Sequence, residues 1–83
     1  MEQSQLSRLR WRCRRGIKEM DLLLLRFLEQ VLPGLDERQQ EVFSQLLEEA
    51  DLDIYAWITG RATPQQTAYL DIVSHLQTLA EKP

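Results

Sequence analysis

Apolar residues at Ile17, Met20, Leu24, Phe27, Leu28 and Val31 recur at the three- and four-residue spacing of one helical face, and Leu22, Leu23, Leu25 and Leu32 widen the stripe. This helix is expected at the centre of the fold. Pro33-Gly34 ends it, because proline disfavours helical geometry in the residue before it and glycine takes the turn conformation that follows. Asp36 then serves as N-cap, with Gln39 three residues on in capping-box position, for a helix whose inner face is Val42, Phe43, Leu46, Leu47 and Ala50. The two helices are predicted to form an antiparallel pair.

A shorter helix is capped at Asp51 or Asp53, carries Leu52, Ile54, Tyr55, Trp57 and Ile58, and stops at Gly60. Thr63-Pro64-Gln65-Gln66 is the strongest start signal in the chain: threonine as N-cap, proline at the first helical position and glutamine at the third. The helix it opens presents Tyr69, Ile72, Val73, Leu76 and Leu79 on one side. Before the central helix, Leu6, Leu9 and Cys13 face inward on a first short helix, with Arg8, Arg12 and Arg15 on a neighbouring stripe and Gly16 as its stop. No segment shows convincing strand alternation. The chain is therefore predicted to be an all-α, small five-helix bundle: a single domain over residues 1–83, frayed at 1–4 and 80–83, with Met20, Phe27, Tyr55 and Trp57 in its core.

Composition adds limits. Hydrophobic residues make up 43% of the 83 positions and charged residues 28%, enough apolar material for a packed core and too much for a disordered chain. No apolar run approaches the ~18 residues that span a bilayer, and the basic N-terminal stretch leads into Glu19 and Asp21 and not into a signal-peptide core, so a cytoplasmic location is expected, without membrane insertion. Cys13 is the only cysteine and His75 the only histidine, which excludes an internal disulfide and leaves too few ligands for a metal site. His75 reads as a helix-surface residue. Signatures for nucleotide binding and for the common hydrolases are missing, so no enzyme, no catalytic residue and no bound cofactor are expected.

Charge changes the picture most. Six of the ten basic residues fall in the run from Arg8 to Lys18, giving residues 1–18 a net charge of +5 and the remainder −8. Arginines near a helix C-terminus and Glu19 in the first turn of the next helix are favoured by the helix dipoles, but that effect is worth only about 0.3–1 kcal/mol per charge and uses one or two arginines. The surplus marks a docking surface. A nucleic-acid partner fits poorly with an overall charge of −3, and the apolar face of the first helix is too small for a membrane surface. A protein partner fits better, since arginine and tryptophan are the side chains most enriched as interface anchors. A small regulator that binds nucleic acid or neutralises a toxin through the basic helix is the alternative.

The stretch Arg14-Arg15-Gly16-Ile17-Lys18-Glu19-Met20-Asp21-Leu22-Leu23-Leu24 resembles the R-G-x-x-E signature, followed by an acidic residue and a leucine-rich helix, of the succinate dehydrogenase assembly factor family, also called the SdhE or flavinator family. Phe27, the F-x-x-L-L of Phe43 to Leu47, Asp51 and Asp53 before Trp57, and Pro64 fall where that family has similar residues, so the likeness runs from about Leu6 to Leu79. The resemblance implies a small cytosolic five-helix assembly factor, or chaperone, that binds the flavoprotein subunit of succinate dehydrogenase, and in some bacteria of fumarate reductase, and promotes covalent attachment of FAD. It implies partner-binding roles for Arg15, Gly16 and Glu19, with Arg8 and Trp11 bordering the same surface. Ile17 stands where the family often has methionine. On this reading the chain is a monomer that holds no cofactor of its own, and the flavoprotein's histidine forms the bond to FAD.

Overall fold

A computed structural model describes residues 2–81. Five α-helices follow one another: α1 (Gln3–Arg12), α2 (Lys18–Gln30), α3 (Glu37–Leu46), α4 (Asp51–Ile58) and α5 (Leu70–Glu81). Short 3₁₀ turns at Leu32–Gly34 and Thr67–Tyr69 precede α3 and α5. The fold is all-α among the described residues. Of the ends expected to fray, Gln3 and Ser4 lie in α1 and Ala80 and Glu81 in α5, while Met1, Lys82 and Pro83 lie outside the described residues.

Helix α2 lies against both α1 and α5, as its broad leucine stripe requires. Met20, Leu23, Leu24, Phe27 and Leu28 are buried from it, and the Phe27 ring meets Phe43 of α3 with centroids 4.7 Å apart. Leu22 is the exception on the predicted stripe and remains exposed. On α5, Ile72, Val73, Leu76 and Leu79 are buried, and Trp57 of α4 packs on Tyr69 at 5.8 Å. Tyr55 is only half-buried. Among the described residues every buried side chain in this core is apolar.

Local signals set most helix ends. Asp36 accepts the Gln39 amide at 2.8 Å, the expected N-cap bond of α3. Gly60, with φ +78, closes α4 in a Schellman turn: its own amide reaches Trp57 O and the Arg61 amide reaches Ala56 O. Two expectations fail. Helix α3 stops at Leu46, so Ala50 is not on its inner face; it is the exposed, extended N-cap of α4, and Asp51 begins the helix it was expected to cap. Residues 61–66 likewise form no helix, and α5 begins at Leu70 and not at Pro64. Pro64 is buried, while Tyr69 is held by Trp57 and donates its hydroxyl to Glu49 Oε2 at 3.0 Å. Those tertiary contacts outweigh a capping preference worth about 1 kcal/mol.

Candidate functional site

The basic run divides between helix and turn. Leu9 and Cys13 are buried and Leu6 is partly so, which seats α1 on the core by the expected face. The helix ends at Arg12, however, and residues 13–17 form a turn. Arg15 therefore belongs to the turn and not to the helical stripe, and its side chain, only 13% exposed, runs inward. Its Nη1 donates to Leu47 O at 2.6 Å and Arg12 O at 3.2 Å, its Nη2 to Glu49 O at 2.6 Å, and its Nε to the Asp51 carboxylate in an ion pair. Arg12 adds a second bond of the same kind, from Nη2 to Ser44 O at 2.8 Å, with Nη1 on Ser44 Oγ.

Ser44 O and Leu47 O share a cause, while Glu49 O belongs to the link between α3 and α4. The last carbonyls of an α-helix have no amide partner and carry the negative end of its dipole. Helix α3 has no basic residue in its own last turn, and Glu48 and Glu49 follow it directly. Arg12 and Arg15 supply the missing cations from α1 and the adjoining turn, so two of the six basic residues serve the fold. Arg15 was expected to face a partner; its fork of donors is instead occupied by its own chain.

The turn is closed from the other side by Asp21, in the first turn of α2. Its Oδ1 accepts the Arg15 amide at 3.0 Å and its Oδ2 the Gly16 amide at 3.1 Å. Gly16 sits at φ +94, where L side chains are strained, and a Cβ built there meets nothing within 4 Å. Its open side thus faces outward. A substitution at Gly16 costs backbone strain before any partner is involved.

The other expected site residues are exposed but are not gathered into one pocket. Trp11 is 72% exposed, with the Arg14 guanidinium over its ring at 5.3 Å, in a shallow recess with Ser7 and Arg10. Arg8 lies in the groove between α1 and α3, opposite Glu37 and Glu41. Glu19 is at the edge of a third recess, between α2, α4 and α5, near Leu22, Arg26 and Tyr55. Among the described residues the Glu19 carboxylate has no hydrogen-bond or ion-pair partner. Arg12, Asp21 and Asp51 escaped the reading of the sequence as parts of this site, although the acidic end of α3 signals a need for outside cations.

Cys13 is fully buried beside these charges, and burial pushes its thiol up to about 12 in spite of Arg15 and Arg12 nearby. It is a packing residue, not a nucleophile. A thiol raised in the folded state stabilises the fold fully below its unfolded value near 9, and that contribution is lost as pH rises towards about 12. Tyr69, also raised by burial and by Glu49, acts in the same direction. Melting temperature should accordingly fall above about pH 9, and Cys13→Ser should flatten part of that fall. At pH 8 an aromatic disulfide reagent should label Cys13 only after denaturant is added.

Replacing Arg15 by lysine removes the forked geometry while keeping the charge. It should cost about 1–3 kcal/mol, because one ammonium cannot serve the carbonyls of Leu47 and Glu49 and the Asp51 carboxylate together. Arg14→Lys, at an exposed position, should stay within about 0.5 kcal/mol. Thermal melts followed by circular dichroism separate the two; equal losses would show that the clamp adds no stability.

Comparison with known proteins agrees with this architecture and with the motif. The family described as flavinator of succinate dehydrogenase matches residues 7–80. The chain is 38% identical over 73 residues to the FAD assembly factor SdhE of Coxiella burnetii, covering 88% of this chain and 89% of that one. To the FAD assembly factor SdhE of Legionella pneumophila (strain Paris) it is 40% identical over 77 residues, covering 93% and 96%. The solution structure of a UPF0350 protein superposes with a TM-score of 0.78 at 30% identity, covering 94% of this chain and 84% of that one. With the match running from the middle of α1 to the last turn of α5 and including the whole turn at residues 13–17, the chain belongs to the succinate dehydrogenase flavinator family.

Proposed function

We propose that this chain docks on the flavoprotein subunit of succinate dehydrogenase through the turn at residues 13–17 and the side chains around it, and so promotes covalent attachment of FAD to that subunit. The supporting observation is the contrast within the motif. The Arg15 side chain and the Arg15 and Gly16 amides are satisfied internally, whereas Glu19, Trp11 and the open side of Gly16 are exposed, and the Glu19 carboxylate has no partner among the described residues. Arg8, Trp11, Gly16 and Glu19 are the proposed contacts. Arg15 serves the same surface from inside, by holding the turn against α3 and α4.

This chain's part is binding and not bond formation. The flavoprotein holds FAD and supplies the histidine that forms the bond; the helper binds best to the conformation in which the two are aligned. Shifting a partner from about 1% to about 99% competent needs roughly 5.5 kcal/mol of differential affinity. Three charge-assisted hydrogen bonds of about 2 kcal/mol each, made only in the competent conformation, supply it. A polar, arginine-rich surface also releases its client more readily than a large apolar one. The same surface would serve a fumarate reductase flavoprotein, and the chain acts as a cytoplasmic monomer.

Glu19→Ala tests this most cleanly, since Gly16 substitutions also strain the backbone. In a strain lacking its own copy, the wild-type chain should restore covalent flavin fluorescence to the dehydrogenase subunit on a denaturing gel. Glu19→Ala should bind that subunit about 10- to 150-fold more weakly, the equivalent of one charged hydrogen bond, with melting unchanged. Full covalent flavin in the deletion strain would contradict the proposed function.

A further inference from the structure

The two acidic residues at the start of α2 are differently employed. Glu19 is exposed and its carboxylate makes no bond among the described residues, whereas Asp21, two positions on, turns its carboxylate back and spends both oxygens on consecutive turn amides. Successive backbone N–H groups, one from a residue at positive φ, form a concave nest that binds anions. Here the anion is the chain's own. Two amides pointing at one carboxylate leave the turn little freedom, and they are the amides of the Arg15-Gly16 pair itself. The Asp21 amide is also tied to Ile17 O at 2.8 Å, so the carboxylate projects from a regular first turn of α2.

From this we infer that Asp21, which lies outside the R-G-x-x-E signature, is a positioning residue: it holds the turn in the shape that lets Gly16 and Glu19 meet the partner together. The inference rests on the docking role proposed above. Its energetic logic concerns the free state more than the fold. The turn is exposed at Gly16, so water replaces the lost acceptor and the folded chain survives without it. What disappears is pre-organisation. A turn that samples many shapes must be ordered when the partner binds, and affinity falls accordingly. Neither Arg15 nor Asp51 substitutes for this, because their ion pair anchors the side chain and not the two amides.

The experiment uses the full chain with Asp21→Ala, Asp21→Asn and, for comparison, Glu19→Ala. Three quantities are measured: amide–water exchange at residues 15 and 16 by NMR, affinity for the isolated flavoprotein subunit, and the rate of covalent flavin formation against helper concentration. Asp21→Ala should speed exchange at those two amides selectively and weaken affinity by about 10- to 100-fold. It should raise the helper concentration for half-maximal flavin attachment while leaving the plateau rate unchanged, and Asn, with one acceptor oxygen for two amides, should fall between. Unchanged exchange at Arg15 and Gly16 would overturn the inference. So would faster exchange with wild-type affinity while Glu19→Ala still binds weakly, a result that leaves the docking role intact. If neither Asp21→Ala nor Glu19→Ala alters affinity, the docking role itself fails and the inference with it. Should the alanine variant lose its helical circular dichroism, the asparagine variant carries the same comparisons.

Discussion

Helix α3 has no cation in its last turn and leads through Leu47 into the acidic pair Glu48-Glu49, and the structure around the motif turns on how that end is neutralised. Arg15 reaches across from the α1–α2 turn and binds the carbonyls of Leu47 and Glu49 together with Asp51 at the start of α4. One guanidinium thereby joins the end of one helix to the beginning of another. Its planar fork makes this possible, since it offers several donors in fixed directions where a lysine offers a single charged point. The turn at residues 13–17 is consequently part of the folded framework, although it lies at the surface.

That constraint sorts the basic run by function. Arg12 and Arg15 are consumed by the end of α3 and the link to α4, and Arg14 stacks on Trp11, which leaves Arg8, Arg10 and Lys18 exposed. What remains for a partner is a smaller and more specific surface than six positive charges suggest. It combines an exposed aromatic plate, a glycine open to close approach and a carboxylate unpaired among the described residues, with Arg8 at its border, on two helices joined by a self-satisfied turn. A rigid surface of this kind suits a helper that must select one conformation of a large enzyme and then let go.

Much of the fold was legible in the chain. The stripes on α2 and α5 and the caps at Asp36 and Gly60 are local, and local physics decides them. The start of α5 was not, because Pro64 and Tyr69 answer to burial and to Glu49, which lies far away in sequence. Nor could periodicity show that Arg15 points inward. Its partners lie more than thirty residues on, and only the acidic, cation-free end of α3 hints at them. The motif was readable as a pattern of letters, whereas the division between Arg15 and Asp21, which hold the turn, and Glu19, whose side chain is exposed, depends on tertiary geometry.

The proposed docking sets Trp11 and the turn against the flavoprotein and leaves the α4–α5 core out of contact. The two tryptophans report on this directly, Trp11 being exposed and Trp57 buried. With the chain alone labelled in ¹⁵N, addition of unlabelled flavoprotein subunit should shift or broaden the Trp11 indole signal and the Gly16 and Glu19 amides well beyond the Trp57 indole. Selective changes along α5, with Trp11 and Gly16 unmoved, would contradict the account.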